Sequence, residues 1–302
     1  MRIHSGSSIA MNAGLKKTPV PVTRGSGNPS LSQKLHWIEG TFKKGNEISL
    51  PQTLPSKFVE TRAFNGYTVG SLYEDGRILM TNPERPEMGA HLLWQGQACD
   101  DCPIDHVALL KHLQSANFSF TRLDMAIDAI NFRLKPQRAT LEIRAGNCKT
   151  RAKTAPRRDD AIDKGYTQYV GKKTSEIFLK LYDKAQEMGV DADHCRIELT
   201  ARHARANKAA WEIVSGVDFR QMVIAYADFP QWSEWKEIMD VEPVKLPSER
   251  TETNTERWLL DACAPALARV IYFASNTDFY EKFKDAVMFN LEELSNGRRT
   301  VH

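Results

Sequence analysis

The sequence has no run of apolar residues long enough to cross a bilayer, and its opening stretch, MRIHSGSSIAMNAGLKK, lacks the apolar centre of a secretion signal. Both absences point to a soluble cytoplasmic protein. Cysteine is scarce as well. The five cysteines, Cys99, Cys102, Cys148, Cys195 and Cys263, are odd in number and scattered, which suits reduced thiols better than a disulfide framework. Only Cys99 and Cys102 lie close together, in CDDC, and no second CxxC or HxxxH set accompanies them. They read as loop thiols rather than zinc ligands. Acidic residues are missing in two places. Residues 1–35 carry five Lys/Arg and no acid, so that from a net charge of +3 the remainder sums to −2. The stretch RAGNCKTRAKTAPRR, residues 144–158, carries six basic residues and no acid. It reads either as a solvated loop or as a flexible cationic arm that neutralises phosphates.

With 302 residues and 41% hydrophobic content the chain can bury a real core. Residues 1–35, rich in Gly, Ser, Pro and Lys without periodicity, read as a disordered basic leader. Order is expected from LHWIEGTF (35–42), which alternates like a strand. A hairpin follows in 64–81, another strand in 88–100, a helix in 104–117 and a strand in 118–132. Further strands are expected in 165–173, 175–184 and 194–202. Beyond 203 the pattern turns helical, with one candidate in WEIVSGVDFRQMVIAYA and a stronger one in 256–274, interrupted at Pro265. The expected class is α+β: a mostly antiparallel sheet with helices on one face and a helical C-terminal region. The expected domains are the leader, a catalytic domain over 36–230, and a helical region over 231–302 packed on it.

Three of these strands share one design. In FTRLDMAID, Leu123, Met125 and Ile127 take one face and Arg122, Asp124 and Asp128 the other. In HCRIELTAR the apolar face holds Cys195, Ile197, Leu199 and Ala201, and the polar face Arg196, Glu198, Thr200 and Arg202. In SEIFLKLYDK a tyrosine, Tyr182, lies between Lys180 and Lys184 on the polar face. The ordinary reading is a sheet with one solvated face and cross-strand ion pairs of small value. The chemical reading joins acids able to hold a hard divalent cation, a phenol able to attack phosphorus, and cations able to hold a polyanion. A phenol attacking a DNA phosphodiester in line displaces a 3′-hydroxyl and conserves the bond as a 5′-phosphotyrosine. A divalent metal would polarise the phosphate. The ordinary phenol pKa is about 10, so Lys180 and Lys184 are expected to raise the phenolate fraction.

The order of FTRLDMAID, GYTQYVGKKTSEIFLKLYDKAQE, CRIELTAR and ERWLLDACAPALARVI resembles the Rep_trans family of replication initiation factors over residues 64–275. That family includes initiators of rolling-circle plasmids and filamentous phages and the related MobT relaxases. The resemblance places the nucleophile on Tyr182 and the metal-binding acids on Asp124 and Glu198, with Asp128 a weaker third and Glu142 and Glu187 further candidates. Tyr166 and Tyr169 are rival tyrosines. No HxH pair occurs among the eight histidines, so the paired-histidine signature of HUH endonucleases is absent and a carboxylate site with Mg2+ or Mn2+ is expected. Expected DNA contacts are Arg122, Arg196, Arg144, Lys149, Arg151, Lys153, Arg157, Arg158, Lys172 and Lys173. The resemblance implies a bacterial nicking and joining enzyme acting on origin DNA that is single-stranded near the nick. Host helicase and replication machinery would be its partners, and a homodimer is left open. Two alternatives remain: a MobT-like relaxase nicking a transfer origin, and a DNA-binding regulator with the same fold and no activity.

Overall fold

The computed structural model describes residues 28–43, 50–152, 157–161 and 165–246, together with four helical positions near the C-terminus, Glu281, Lys284, Asp285 and Met288. The chain divides into two compact units, 1–247 and 248–302. The basic leader up to residue 27 and the helix expected over 256–274 lie outside the described residues.

The first unit is built on a long sheet. In chain order its strands are β1 (Ser30–Phe42), β2 (Phe58–Thr61), β3 (Val69–Tyr73), β4 (Ile78–Thr81) and β5 (Ala90–Gln95), followed by the one-turn helix α1 (Gln97–Asp100) and α2 (His106–Ser115). Then come β6 (Phe118–Ile130), α3 (Pro136–Arg144), β7 (Lys149–Thr150), β8 (Arg157–Ala161), β9 (Gly165–Val170), β10 (Ile177–Asp183), α4 (Lys184–Met188) and β11 (His194–Arg202). The unit ends with α5 (Ala204–Val214), α6 (Phe219–Tyr226), β12 (Ala227–Asp228) and α7 (Ser233–Ile238). Ten strands form one sheet in the order β2-β3-β4-β5-β1-β6-β11-β10-β9-β8, and β7 and β12 form a separate pair. Every pairing is antiparallel. The α+β class is the one read from the sequence.

The odd-numbered residues of β6 and β11 explain where the helices go. Leu123, Met125, Ile127, Ile197 and Leu199 are completely buried and join α2, α5 and α6 in one core with Leu110, Leu113, Ala209, Ile213, Met222 and Val223. Each helix carries an apolar stripe at helical spacing, which burial against the sheet removes from water. Asp105 caps α2 by accepting from the amides of Val107 and Ala108.

Three elements differ from the sequence expectation. The first strand starts at Ser30, so its first stretch of pairing, Ser30 opposite Ile130 through Lys34 opposite Ala126, falls in the segment read as leader. The single helix expected across 211–227 is two. α5 stops at Ser215, Gly216 takes the left-handed φ of +92°, and Asp218 opens α6 with a capping box closed by Gln221. The basic run is no free arm over its described length. Arg144 ends α3, Lys149 and Thr150 pair with β12, and Arg157 and Arg158 belong to edge strand β8.

Candidate catalytic face of the sheet

The even-numbered residues of β6, β10 and β11 share the face opposite the helices, and the ladder sets them in rows. One row runs Asp124, Thr200, Phe178; the next runs Ala126, Glu198, Lys180, Tyr169; the third runs Asp128, Arg196, Tyr182, Thr167. Strand β1 extends the rows on its side through a bulge. Lys34 is opposite Ala126 and Trp37 opposite Asp124, so the register skips a residue and His36 is the extra one. A bulge re-aims side chains that strict alternation would send elsewhere. It lets both His36 and Trp37 serve the polar face.

The end of this face around Asp128 is a closed network of charges. Arg196 grips Asp128 with both ends of its fork, Nε to Oδ1 at 2.7 Å and Nη2 to Oδ2 at 2.8 Å. His194 Nε2 lies 2.8 Å from the same carboxylate and Lys34 Nζ 3.5 Å from it. The third donor of Arg196, Nη1, reaches Asp100 Oδ2 at 2.7 Å, and Asp100 Oδ1 holds His36 Nδ1 at 2.8 Å. Burial would push Asp128 up, but His194 and Arg196 outweigh it and hold the carboxyl well below the usual carboxylate range. Asp100 is likewise depressed, burial being outweighed by His36 and Arg196.

The end around Asp124 and Glu198 is different. Both acids are fully buried. Arg122 spans Asp124 with Nε at 2.9 Å and Nη2 at 2.6 Å, while resting 3.7 Å above the Trp37 ring. Lys180 Nζ sits 2.6 Å from Glu198 Oε1. The Tyr182 hydroxyl donates to Glu198 Oε2 at 3.4 Å, and His36 Nε2 is 3.8 Å from that oxygen. Burial, then the charge of Glu198, lifts Asp124 to about 6 in spite of Arg122. Glu198 moves the other way. Lys180 and His36 outweigh its burial and hold it below the ordinary range. Each carboxylate has one full counter-charge, Arg122 on Asp124 and Lys180 on Glu198. The hydroxyl of Thr200, between Asp124 and Phe178 in the row, is buried without a hydrogen-bond partner among the described residues.

The raised Asp124 and the unpartnered hydroxyl are the test of whether a divalent cation fits. Two carboxylates and a hydroxyl form an oxygen donor set of the kind hard cations take. A cation would offset the burial and the Glu198 charge that together raise Asp124. Among the described residues no three His, Cys, Asp or Glu side chains gather closely enough to hold a metal by themselves, so the fit rests on Asp124, Glu198 and Thr200.

Several expectations change. The polar face was expected to be solvated, yet Asp124, Asp128, Arg196, Glu198 and Tyr182 are all buried. Cross-strand neutralisation makes that burial tolerable. Lys180 and Lys184 do not activate the phenol by standing around it. Lys180 is held by Glu198, and Lys184, the first residue of α4, is held by Glu187 at 2.6 Å. Burial, then Glu198, pushes the Tyr182 phenol far above its ordinary value. Asp128 faces Arg196 and His194 and is not brought together with Asp124 and Glu198. Arg196, expected at the DNA, is 1% exposed and its donors go to Asp128 and Asp100. Glu142 turns to Arg138 and Asn147. Tyr166 lies against Thr140 of α3 on the helix side, whereas Tyr169 shares the catalytic face opposite Lys180 with Lys173 above its ring.

Of the expected DNA contacts, Arg144, Lys149, Arg151, Arg158, Lys172 and Lys173 are exposed and Arg122 is partly so. Arg157 is placed opposite Tyr169 by register, and Lys153 lies outside the described residues. Sequence reading missed His36, Asp100 and His194. CDDC bears on the site through its first Asp, which α1 carries to His36 and Arg196, while Cys99 and Cys102 are free thiols.

Two comparisons with known proteins give a match. A rolling circle replication initiator protein from Geobacillus stearothermophilus superposes with a TM-score of 0.57 at 22% identity, covering 72% of this chain and 99% of that one. At that identity the likeness establishes the fold. No curated protein matches the chain. The replication initiation factor model matches residues 118–286, which begins at β6 and takes in the three strands that carry Asp124, Tyr182 and Glu198. With more than half its length inside that match, the chain belongs to the Rep_trans family of replication initiation factors.

Proposed function

We propose that this initiator starts rolling-circle replication by nicking one origin strand with Tyr182 and later resealing it. The observation that carries the reading is the phenol of Tyr182 hydrogen-bonded to Glu198 on the row beside Asp124. In the step, Tyr182 Oη forms a bond to phosphorus, the bond from phosphorus to the 3′ oxygen breaks, and the 3′ end leaves as a hydroxyl. The 5′ end stays on the protein as a phosphotyrosine, and attack by a 3′-hydroxyl reverses the step.

Because burial keeps the phenol neutral at working pH, its proton needs an acceptor at the moment of attack. Glu198 Oε2 is in position, and His36, held by Asp100 and 13% exposed, offers the next stop toward solvent. Asp124, Glu198 and Thr200 are the residues that would hold a divalent cation, which when bound would polarise the scissile phosphate. Lys180, beside Glu198 and 5.1 Å from the Tyr182 ring, adds positive charge where the phosphorane develops its negative charge. Tyr182 is only 5% exposed, so the strand has to settle onto the sheet face to meet its hydroxyl, which an unpaired strand is free to do.

The direct experiment uses supercoiled DNA of the protein's own replicon. Nicked circles should form with Mg2+ or Mn2+ and be suppressed by EDTA. Nicking undiminished by EDTA would remove the cation from the reading. Absence of nicking on any origin-bearing DNA would leave binding as the chain's activity.

A further inference from the structure

At the edge of the grid, Arg202 of β11 stands directly opposite Arg122 of β6. Like charges facing each other across a ladder cost stability, so the pair needs a reason. Each guanidinium lies over an aromatic ring, Arg122 over Trp37 at 3.7 Å and Arg202 over Phe178 at 5.1 Å. Arg122 is matched by Asp124 and stands opposite Glu39 of β1, whereas Arg202 bonds the carbonyl of Ser175 through Nη1 at 2.7 Å and makes no ion pair among the described residues, Asp124 and Glu39 acting on it only from a distance. Its remaining N–H groups lie on a side chain that is only partly buried. Stacking fixes a guanidinium's plane while leaving its edge donors available, which suits a tetrahedral oxyanion.

We infer that Arg202, with Arg122 beside it, clamps a backbone phosphate of the single strand at a linkage flanking the one that is cut. The proposal rests on the nicking reading for the presence of the strand. The linkage is one next to the cut: along β11 Arg202 lies two residues, about 7 Å, past Thr200 of the cation site and four residues, about 13 Å, past Glu198, which accepts from Tyr182. The clamp therefore positions the strand and does not touch the reacting phosphorus.

The test measures binding of a single-stranded origin oligonucleotide by protein carrying Tyr182→Phe, so that no cleavage intervenes. A series of oligonucleotides, each with one methylphosphonate, removes one charge at a time. Adding Arg202→Gln should weaken binding of the fully charged strand about tenfold, the scale of one charge-assisted contact. At one linkage the neutral substitution should weaken binding by a similar factor when Arg202 is intact and have no effect on the Arg202→Gln variant. Arg202→Lys should retain much of the affinity. Equal affinities with and without Arg202→Gln, or a loss from that substitution that is the same whichever linkage is neutral, would overturn the clamp. Covalent attachment by protein with an intact Tyr182 is scored separately. A linkage-specific loss without any adduct would uphold the clamp and refute the nicking reading.

Discussion

Asp124 and Asp128 are the same residue type, four positions apart on the same face of the same strand, and both are buried. Their environments push them in opposite directions, Asp124 up to about 6 and Asp128 well below its ordinary value. The difference lies in their neighbours. Asp128 meets a two-pronged arginine, a histidine and a lysine, with no second acid in its row. Asp124 has its own two-pronged arginine, Arg122, but shares its pocket with a second acid, Glu198, which Lys180 and, from 3.8 Å, His36 balance. A buried acid with surplus partners holds structure together. A buried acid raised by burial and by a second acid beside it is kept at a cost, and such groups concentrate where chemistry is done.

The largest expected effect separates these two acids by function. Asp124→Asn should reduce nicking by at least about a hundredfold, the scale of losing one electrostatic stabiliser in a catalytic site, while stability falls less than in the Asp128 variant, because Arg122 is partly exposed and the charge beside Glu198 is removed. Asp128→Asn should cost more stability, on the order of 3 kcal/mol, because Arg196 stays buried, loses its two-pronged partner and keeps only Asp100. Chemical denaturation and nicking assays on both variants check the pair. Similar losses of stability in both would erase the distinction.

The pH dependence of stability, measured with chelator present, sharpens the same contrast. Between about pH 4 and about pH 6 the native protein keeps a proton on Asp124 that the unfolded chain has released, so this group's contribution falls as pH rises through that window. Asp128 has the opposite sign. Its contribution is present above the ordinary aspartate pKa of about 4 and is lost as pH falls below it. Asp124→Asn should flatten the curve above about pH 4, and Asp128→Asn should flatten the acid limb below it. A smaller effect is expected from the exposed cations far from this pocket. Neutralising Arg144, Lys149, Arg151 and Arg158 should lower duplex affinity and reduce the log–log salt slope by up to roughly 0.9 for each phosphate left without its cation, with little change in sequence preference.

The alternation of three short strands was enough to bring Asp124, Glu198 and Tyr182 to one face, because side-chain period in a strand is fixed at two. What alternation cannot reveal is neutralisation. Each strand alone shows a polar face, and only the ladder shows Lys180 opposite Glu198 and Arg196 opposite Asp128, which is why a face expected to be wet is buried. His36 was illegible for a related reason. It enters through a bulge, and a bulge is a property of two strands rather than of one. Asp100 arrives on a single turn of helix too short to leave a periodic signal. The arginine of RIE was read as a DNA contact from its charge, and the structure gives its donors to two acids 68 and 96 residues away in sequence.

The most direct test of the account is to map the covalent bond. A single-stranded oligonucleotide spanning the nick site, incubated with the protein and digested, should leave its residual nucleotide mass on the peptide containing Tyr182, and Tyr182→Phe should bind the same strand and form no adduct. Tyr169 shares the catalytic face and is the informative rival. Adduct on Tyr169, or a nicked product bearing a free 5′-phosphate with no covalent species at any time, would contradict the assignment of Tyr182 and Glu198 as nucleophile and proton acceptor.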